Sequence, residues 1–459
     1  MDESKGRFNS SLMGEMPEGK LLLKLAVPMM LSMLVQALYN IVDSIYVSQV
    51  AEDCLTALSL VFPAQNIMIG LATGTGVGVS TLISRALGRH DPKDASRVAG
   101  NALFLCLCCW ALMFLFGAFG ADWFINTQTD DEVIRAYAKS YLKIVTMLSL
   151  FVYFEICFER FLQSSGQAKY SMWTQIIGAV TNIVLDPFFI FGWCGLPAMG
   201  TAGAAIATVI GQAVGTGFGV FFHLKHNHEV KIDLKLLAPN GRIIGEIYRI
   251  GFPSILMMGI GSVTNYTMNR ILIGFSSTAV AVYGAYFKVQ SFFFMPVFGL
   301  NNALIPILGY NYGAGKRERI HRSIKFGVLY AAVFMVAGCI VFELIPQIIL
   351  QIFNPSAEML AIGVPALRRI ALHFPIASFC IIAGSACQAL DKSLFSLITS
   401  CMRQLIALLP SAYLLSLTGD VNNVWWCFII AEFMSLVCST FFLKRTLRDV
   451  EKKLSARQA

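Results

Sequence analysis

Gln36, Asn40 and Asp43 occupy positions i, i+4 and i+7 of a stretch otherwise apolar enough for lipid. On a helix these side chains form one polar stripe. A carboxylate at that depth costs about 2.5 to 3.5 kcal/mol on insertion scales, so it normally faces an internal cavity and marks an ion or substrate route. A second stripe follows at Gln175, Gly178, Asn182 and Asp186, spaced i, i+3, i+7 and i+11, with Pro187 directly after the acid. Proline inside a span removes a backbone hydrogen bond and tends to kink the helix, freeing carbonyls that can coordinate a small cation. Two carboxylates held close in a low dielectric cannot both ionise cheaply, which suits them to exchange a proton or bind a cation. The plainer reading is that each acid only hydrogen-bonds a neighbouring helix. Two acids at matching depth with Asn182 alongside favour a site.

The elements that must carry these stripes are membrane helices. The chain of 459 residues is 56% hydrophobic and 14% charged, with mean hydropathy +0.66, whereas a soluble domain is about one quarter charged. The long, continuous apolar runs exclude a β-barrel. They predict an all-α polytopic fold of 12 transmembrane helices, near 21–49, 55–83, 94–119, 133–162, 168–192 and 200–224, then 246–273, 278–308, 320–344, 359–388, 394–418 and 422–443. Alternate connections collect the basic residues: Lys5, Arg7, Lys20 and Lys24; Arg85, Arg89, Lys93 and Arg97; Lys225, Lys231, Lys235 and Arg242; Lys316, Arg317, Arg319 and Arg322; and the tail from Lys444. The opposite connections carry Glu52, Asp53, Asp130, Asp131, Glu132, Glu358 and Asp420. Cytoplasmic loops hold the Lys and Arg, so both termini are expected inside, with an even number of spans. Asp43 and Asp186 then each lie six or seven residues below the outer helix ends, roughly 10 Å deep at a rise of ~1.5 Å per residue.

The chain also repeats. A shift of 225 residues pairs Pro28 with Pro253, Asn40 with Asn265, Gln65 with Gln290, Gly74 with Gly299, Gly88 with Gly313, Arg97 with Arg322 and Gln163 with Gln388, without a gap. The expected organisation is an N-terminal segment 1–20, an N-lobe 21–224, a cytoplasmic linker 225–245, a C-lobe 246–443 and a tail 444–459. Two homologous six-helix bundles around a central cleft would open to either face by rocking. The second half lacks the acids of the first: it offers Asn265, Asn269 and Arg270 in span seven and Arg403 in span eleven. The ion site is therefore expected in the N-terminal half alone, with Arg270 as readily a snorkelling residue as a cleft residue.

Other motifs take structural readings. Glu155, Glu159 and Arg160 look like an ion pair near the cytoplasmic face rather than a second relay. His373, Glu343 and Glu432 read as lone, satisfied polar residues. Gly70, Gly74 and Gly78 lack the Lys-Ser/Thr of a phosphate loop and, like Gly211, Gly215 and Gly219, repeat every four residues as close helix contacts. No ATP motif occurs elsewhere, so energy must come from an ion gradient. His223, His226 and His228 fall at the start of the basic linker, where metal binding is disfavoured. The twelve cysteines sit mostly in apolar runs without disulfide or zinc spacing, and the +8 charge is spread over short loops rather than gathered for nucleic acid. Residues 1–20 lack an apolar h-region, so the first span is expected to direct insertion.

The duplicated halves, the Pro28 to Asp43 segment, the Gly-rich span two leading into Arg85-Ala-Leu-Gly88-Arg89, Asn182-Ile-Val-Leu-Asp186-Pro187 and Gly200-Thr-Ala-Gly203-Ala-Ala-Ile-Ala-Thr208 together resemble the multidrug and toxic compound extrusion (MATE) family. The resemblance covers essentially the whole chain. It implies a secondary antiporter that expels organic, often cationic and amphipathic compounds in exchange for H+ or Na+. It also implies that Asp43, Asn182, Asp186 and Thr208 form the cation or proton site. Gln36, Tyr39, Asn40, Gln175, Asn265 and Asn269 then become candidates for the substrate path. Asn265, Asn269 and His373 stand in spans where the NorM-like branch carries acids, which points to the DinF-like branch. The expected partners are small organic molecules and membrane lipids, with no nucleic acid, no cofactor beyond the coupling ion, no metal and a working monomer in the cytoplasmic membrane. A lipid-linked oligosaccharide flippase of the same superfamily would need a strongly basic cavity, for which only Arg270 and Arg403 offer themselves. A membrane-embedded enzyme would need a paired nucleophile or a metal constellation, which the sequence does not contain.

Overall fold

A computed structural model describes residues 11–50, 52–232, 238–353 and 355–458. Lys5, Arg7 and Lys235 lie outside the described residues, as does the side chain of Glu52. The elements are helices throughout the described residues. In chain order the long ones are α1 (Glu18–Ser48), α2 (Glu52–Gly88), α3 (Pro92–Leu115), α4 (Glu132–Met147), α5 (Leu150–Ser164), α6 (Ala168–Phe191) and α7 (Thr201–His226). They are followed by α8 (Gly241–Ile273), α9 (Ser277–Gly313), α10 (Arg317–Leu344), α11 (Ala357–Ala371), α12 (Phe374–Ala389), α13 (Ser393–Cys401) and α14 (Cys427–Gln458). Helix α3 runs on through Phe116–Gly120 to Asn126, and α13 runs on through Met402–Leu408 to Ser416, each by way of a π turn.

Ten of these continuous segments are long and apolar enough to cross a membrane, and two bent pairs bring the number to twelve among the described residues. The pairs are α4 with α5, bent by 47°, and α11 with α12, bent by 48°. Both correspond to single spans in the sequence reading. Helix α6 instead passes through Pro187 without a break. The helix breaks fall elsewhere, where the chain carries Leu148-Ser149 and Leu372-His373.

The duplication is visible in the backbone. His90 turns α2 into α3 with φ 58°, and 225 residues later Gly315 turns α9 into α10 with φ 72°. Asp91 N donates to Ala86 O at 2.9 Å, and Lys316 N donates to Asn311 O at 2.9 Å. The turn between α5 and α6 is repeated between α12 and α13 as well. Gly166 has φ 80° and Asp391 has φ 72°, with Gln167 N to Leu162 O and Lys392 N to Cys387 O both at 2.8 Å. These are left-handed helix caps that satisfy the last carbonyls of one helix before the next begins.

By internal packing the chain falls into two units. One comprises Leu31–Ile255 with the short segment ending at Glu15, and the other comprises Met16–Met30 with the chain from Leu256 onward. Helices α1 and α8 thus each give their first part to one unit and the remainder to the other. Glycines make the helix contacts close. In the first unit, a Cβ on Gly78 would strike Ile247 O and one on Gly251 would strike Gly74 O. In the second, a Cβ on Gly299 would lie 2.7 Å from Met30 Cα. Small residues let membrane helices approach in this way because lipid gives no hydrophobic drive for association. Leu112, Phe119, Val333 and Phe441 are exposed large apolar side chains of the kind a lipid-facing surface requires.

Candidate functional site

Helix α6 supplies the centre of the site. Its i, i+4 geometry sets Asn182 directly beneath Asp186, and Asn182 Nδ2 donates to Asp186 Oδ1 at 3.3 Å. The same amide donates to Thr208 Oγ1 on α7 at 3.3 Å. Asp186 is fully buried, with Asn182 at 2% and Thr208 at 8% exposure. Their closeness follows from Gly211, one turn beyond Thr208, where a Cβ would lie 2.8 Å from Gly178 O and 3.1 Å from Asn182 Cβ.

Helix α1 brings the other acid. Asp43 is half-buried and lies close enough to Asp186 for their charges to interact. Tyr39, one turn earlier on the same face, feels the charges of Asp43, Glu155 and Asp186. Among the described residues, Asp43 Oδ1, Asn182 Oδ1 and Asp186 Oδ2 are buried oxygens without a hydrogen-bond partner. Leaving such atoms unpaired is costly. Carboxylate, amide and hydroxyl oxygens converging in this way suit a proton or a small hard cation.

Tyr141 and Gln65 belong to the same surroundings. Gln65 Nε2 donates to the Tyr141 hydroxyl at 3.1 Å, and Tyr141 lies within charge range of Asp43, Tyr39 and Asp186. Sequence reasoning passed over both. Tyr141 sits on the amphipathic α4 like any core aromatic, and Gln65 was noted only as a repeat partner of Gln290.

The remaining candidates are spread more widely. Gln36 and Asn40 are exposed on the stripe of α1. Gln175, the foot of the α6 stripe, donates from Nε2 to Glu159 Oε2 at 3.0 Å rather than joining Asn182. Arg160 Nη1 donates to Gln163 Oε1 at 2.9 Å, and Gln163 Nε2 to Ser171 Oγ at 2.9 Å. Glu159 is thus bonded to an amide of α6, and Arg160 to an amide of its own helix, in addition to the pairing read from the sequence. In the second unit, Asn265 Oδ1 accepts from the Tyr283 hydroxyl at 3.0 Å, and Asn269 is exposed beside an exposed Arg270.

A model of the family described as MatE matches residues 28–188 and again 253–414. The two matches begin 225 residues apart and together take in most of the chain. The chain belongs to the MatE family. Its first match contains Asp43, Asn182 and Asp186. Membership makes the protein a multi-pass membrane transporter rather than an enzyme. Among MatE relatives, the multidrug export protein MepA of Staphylococcus saprophyticus is 25% identical over 409 residues, 89% of each chain. The outward-facing structure of a multidrug resistance MATE family transporter of the MOP superfamily is similar with TM-score 0.91 and 25% identity, over 97% of this chain and 99% of that one. A MOP superfamily transporter from Pyrococcus furiosus, for which a reversed polarity of the binding pocket suggests a different function, matches with TM-score 0.90 and 25% identity over 96% and 98%.

Two sequence readings change in this MatE chain. Glu432 is not a lone acid: its carboxylate is 3.5 Å from Arg403 Nη1, with Glu432 nearly buried and Arg403 partly exposed. No periodicity links the two, because they stand on different helices. His223 belongs to α7 rather than to the linker, buried against Phe158 and Phe161 with ring centroids at 5.5 Å. His226 stacks on Tyr170 at 4.0 Å, so these two histidines sit in aromatic packing.

Proposed function

We propose that this protein is a secondary active antiporter that exports organic, often cationic amphipathic compounds in exchange for H+ or Na+ by alternating access. The observation that carries the reading is the Asn182 amide joined to both Asp186 and Thr208 with Asp43 in charge range. The names of the MepA relative and of the MATE multidrug transporter support the substrate class. Asp43, Asn182, Asp186 and Thr208 hold the coupling ion, and Tyr39, Gln36, Asn40 and Gln175 belong to the substrate route of the same unit. Asn265, Asn269 and His373, where the NorM-like branch carries acids, favour the DinF-like branch. The protein works as a monomer in the cytoplasmic membrane, with both termini inside as the basic connections suggest, and needs nothing beyond its coupling ion.

Binding of a cation or proton between Asp43 and Asp186 changes the local charge and so biases the transporter toward one of its two states. One charge moved across about 100 mV supplies about 2.3 kcal/mol, enough for a roughly 50-fold concentration ratio. The test is export of a fluorescent lipophilic cation from proteoliposomes with pH and sodium gradients applied separately. One gradient should drive export and Asp43→Asn should abolish that drive. Normal gradient-driven export by Asp43→Asn would remove Asp43 from the coupling site.

A further inference from the structure

The Gly178 and Gly215 contact between α6 and α7 encloses a side chain from a third helix. A Cβ on Gly178 would lie 3.0 Å from Glu155 Oε1, and one on Gly215 would overlap the same oxygen. The Glu155 carboxyl of α5 therefore rests against both glycines, in space that a methyl at Gly215 would take from it. One turn along α5, Glu159 is 3% exposed and accepts from Gln175 at the foot of the α6 stripe. Among the described residues, Glu159 Oε1 and Gln175 Oε1 are buried without a hydrogen-bond partner. Tyr39 of α1 stands within charge range of Glu155, Asp43 and Asp186 alike.

These positions form an ordered series along one face of α6. Gln175 to Gly178 rises about 4.5 Å and Gly178 to Asn182 about 6 Å, so Glu155 sits at an intermediate height between the Glu159 amide contact and the Asn182–Asp186 pair. The titratable groups facing it are Glu159 from its own helix and the neutral Tyr39 hydroxyl from α1. The α6 and α7 walls present glycine, while Arg160 points its guanidinium toward Gln163 and packs its stem on Gly76.

We propose that Glu155 is a proton-carrying station between Glu159 and the Asp43–Asp186 site, held in place by Gly178 and Gly215. The inference rests on the antiporter reading above and adds to it the route by which a coupling proton reaches the site. A carboxylic acid donates and a carboxylate accepts, so a proton on Glu159 passes to Glu155, leaving Glu159 as carboxylate. It then passes from Glu155 to Asp186, with the Tyr39 hydroxyl or an intervening water spanning the longer step. Glu155 returns to carboxylate, and the net change is one proton moved with no other bond altered.

The experiment compares wild type, Glu155→Gln and Glu155→Asp in proteoliposomes. Wild type should export a fluorescent lipophilic cation under a pH gradient. Glu155→Gln should lose that export by ten-fold or more and flatten its pH profile, while drug–drug counterflow, which moves no net proton, falls by less than three-fold. Glu155→Asp should restore part of the proton-driven rate. In parallel, wild-type protein treated with dicyclohexylcarbodiimide, which attacks buried carboxylic acids, should carry the label on Glu155, most strongly at acidic pH. Wild-type export driven by sodium alone leaves the antiporter reading standing and overturns the proton station. Wild-type export driven by neither gradient overturns the antiporter reading itself. Wild-type pH dependence in Glu155→Gln, equal loss of counterflow and proton-driven export, or no label on Glu155 would each overturn the role of Glu155.

Discussion

Gly211→Ala tests whether the ion site depends on how closely α6 and α7 approach. The added methyl would lie 2.8 Å from Gly178 O and 3.1 Å from Asn182 Cβ. Both are fixed parts of α6 that cannot rotate away. Relieving the first overlap to an ordinary contact of about 3.5 Å separates the helices locally by about 0.7 Å. The Asn182 to Thr208 bond, one turn away and already at 3.3 Å, then stretches to about 4 Å, which is no longer a hydrogen bond. The overpacking should cost about 1 to 3 kcal/mol of stability. Losing the bond should cost a further 0.5 to 1.5 kcal/mol, roughly two- to twelve-fold in ion affinity. Gly217→Ala on the same helix is the control, since nothing lies within 4 Å of its Cβ position; there the better helix former should be neutral or stabilising by up to about 1 kcal/mol. Thermal unfolding in detergent gives the stability term, and the half-saturating ion concentration for transport gives the affinity term. Thr208→Ala should reproduce the second without the first. If Gly211→Ala unfolds and saturates like Gly217→Ala, the geometry argued for the α6–α7 contact is wrong.

The same structure yields two further expectations. Glu432→Gln removes the charge partner of a partly exposed Arg403 and should destabilise by about 1 kcal/mol, whereas replacing Glu432 and Arg403 together should cost less than the two single changes added; additive losses in a detergent melt would show that the pair does not act as one. His90→Gly should stabilise by about 1 kcal/mol because its φ of 58° suits glycine. Gly315→Ala at the equivalent turn should destabilise by a similar amount, and matching signs in the two melting shifts would contradict the assigned backbone.

What the sequence disclosed and what it withheld divide along a physical line. Features that depend on one helix alone were legible. Hydrophobic run length reported the spans, and a period of three to four placed Asn182 beside Asp186. The 225-residue register pointed to turns whose left-handed residues, His90 with Gly315 and Gly166 with Asp391, recur in the same places. Features that arise between helices were not. Glycine spacing in α6 and α7 announced a close contact but carried no sign that a carboxyl from α5 would occupy it, since Glu155 is remote in sequence from both Gly178 and Gly215. Tyr141 looked like core, and Arg403 with Glu432 looked unrelated, because a partner on another helix leaves no periodicity. The helix breaks were also hidden: α6 continues through Pro187, while the bends lie between α4 and α5, at Leu148-Ser149, and between α11 and α12, at Leu372-His373. The candidate site is thus half intrahelical and half tertiary. Its intrahelical half, Asn182 beneath Asp186, needs only the period of α6, while its tertiary half requires that α7 lack a side chain at Gly211 and Gly215. Substitutions at those two glycines therefore probe the site more sharply than substitutions at the polar residues, because they leave every ionisable group in place and change only the distance across which it acts.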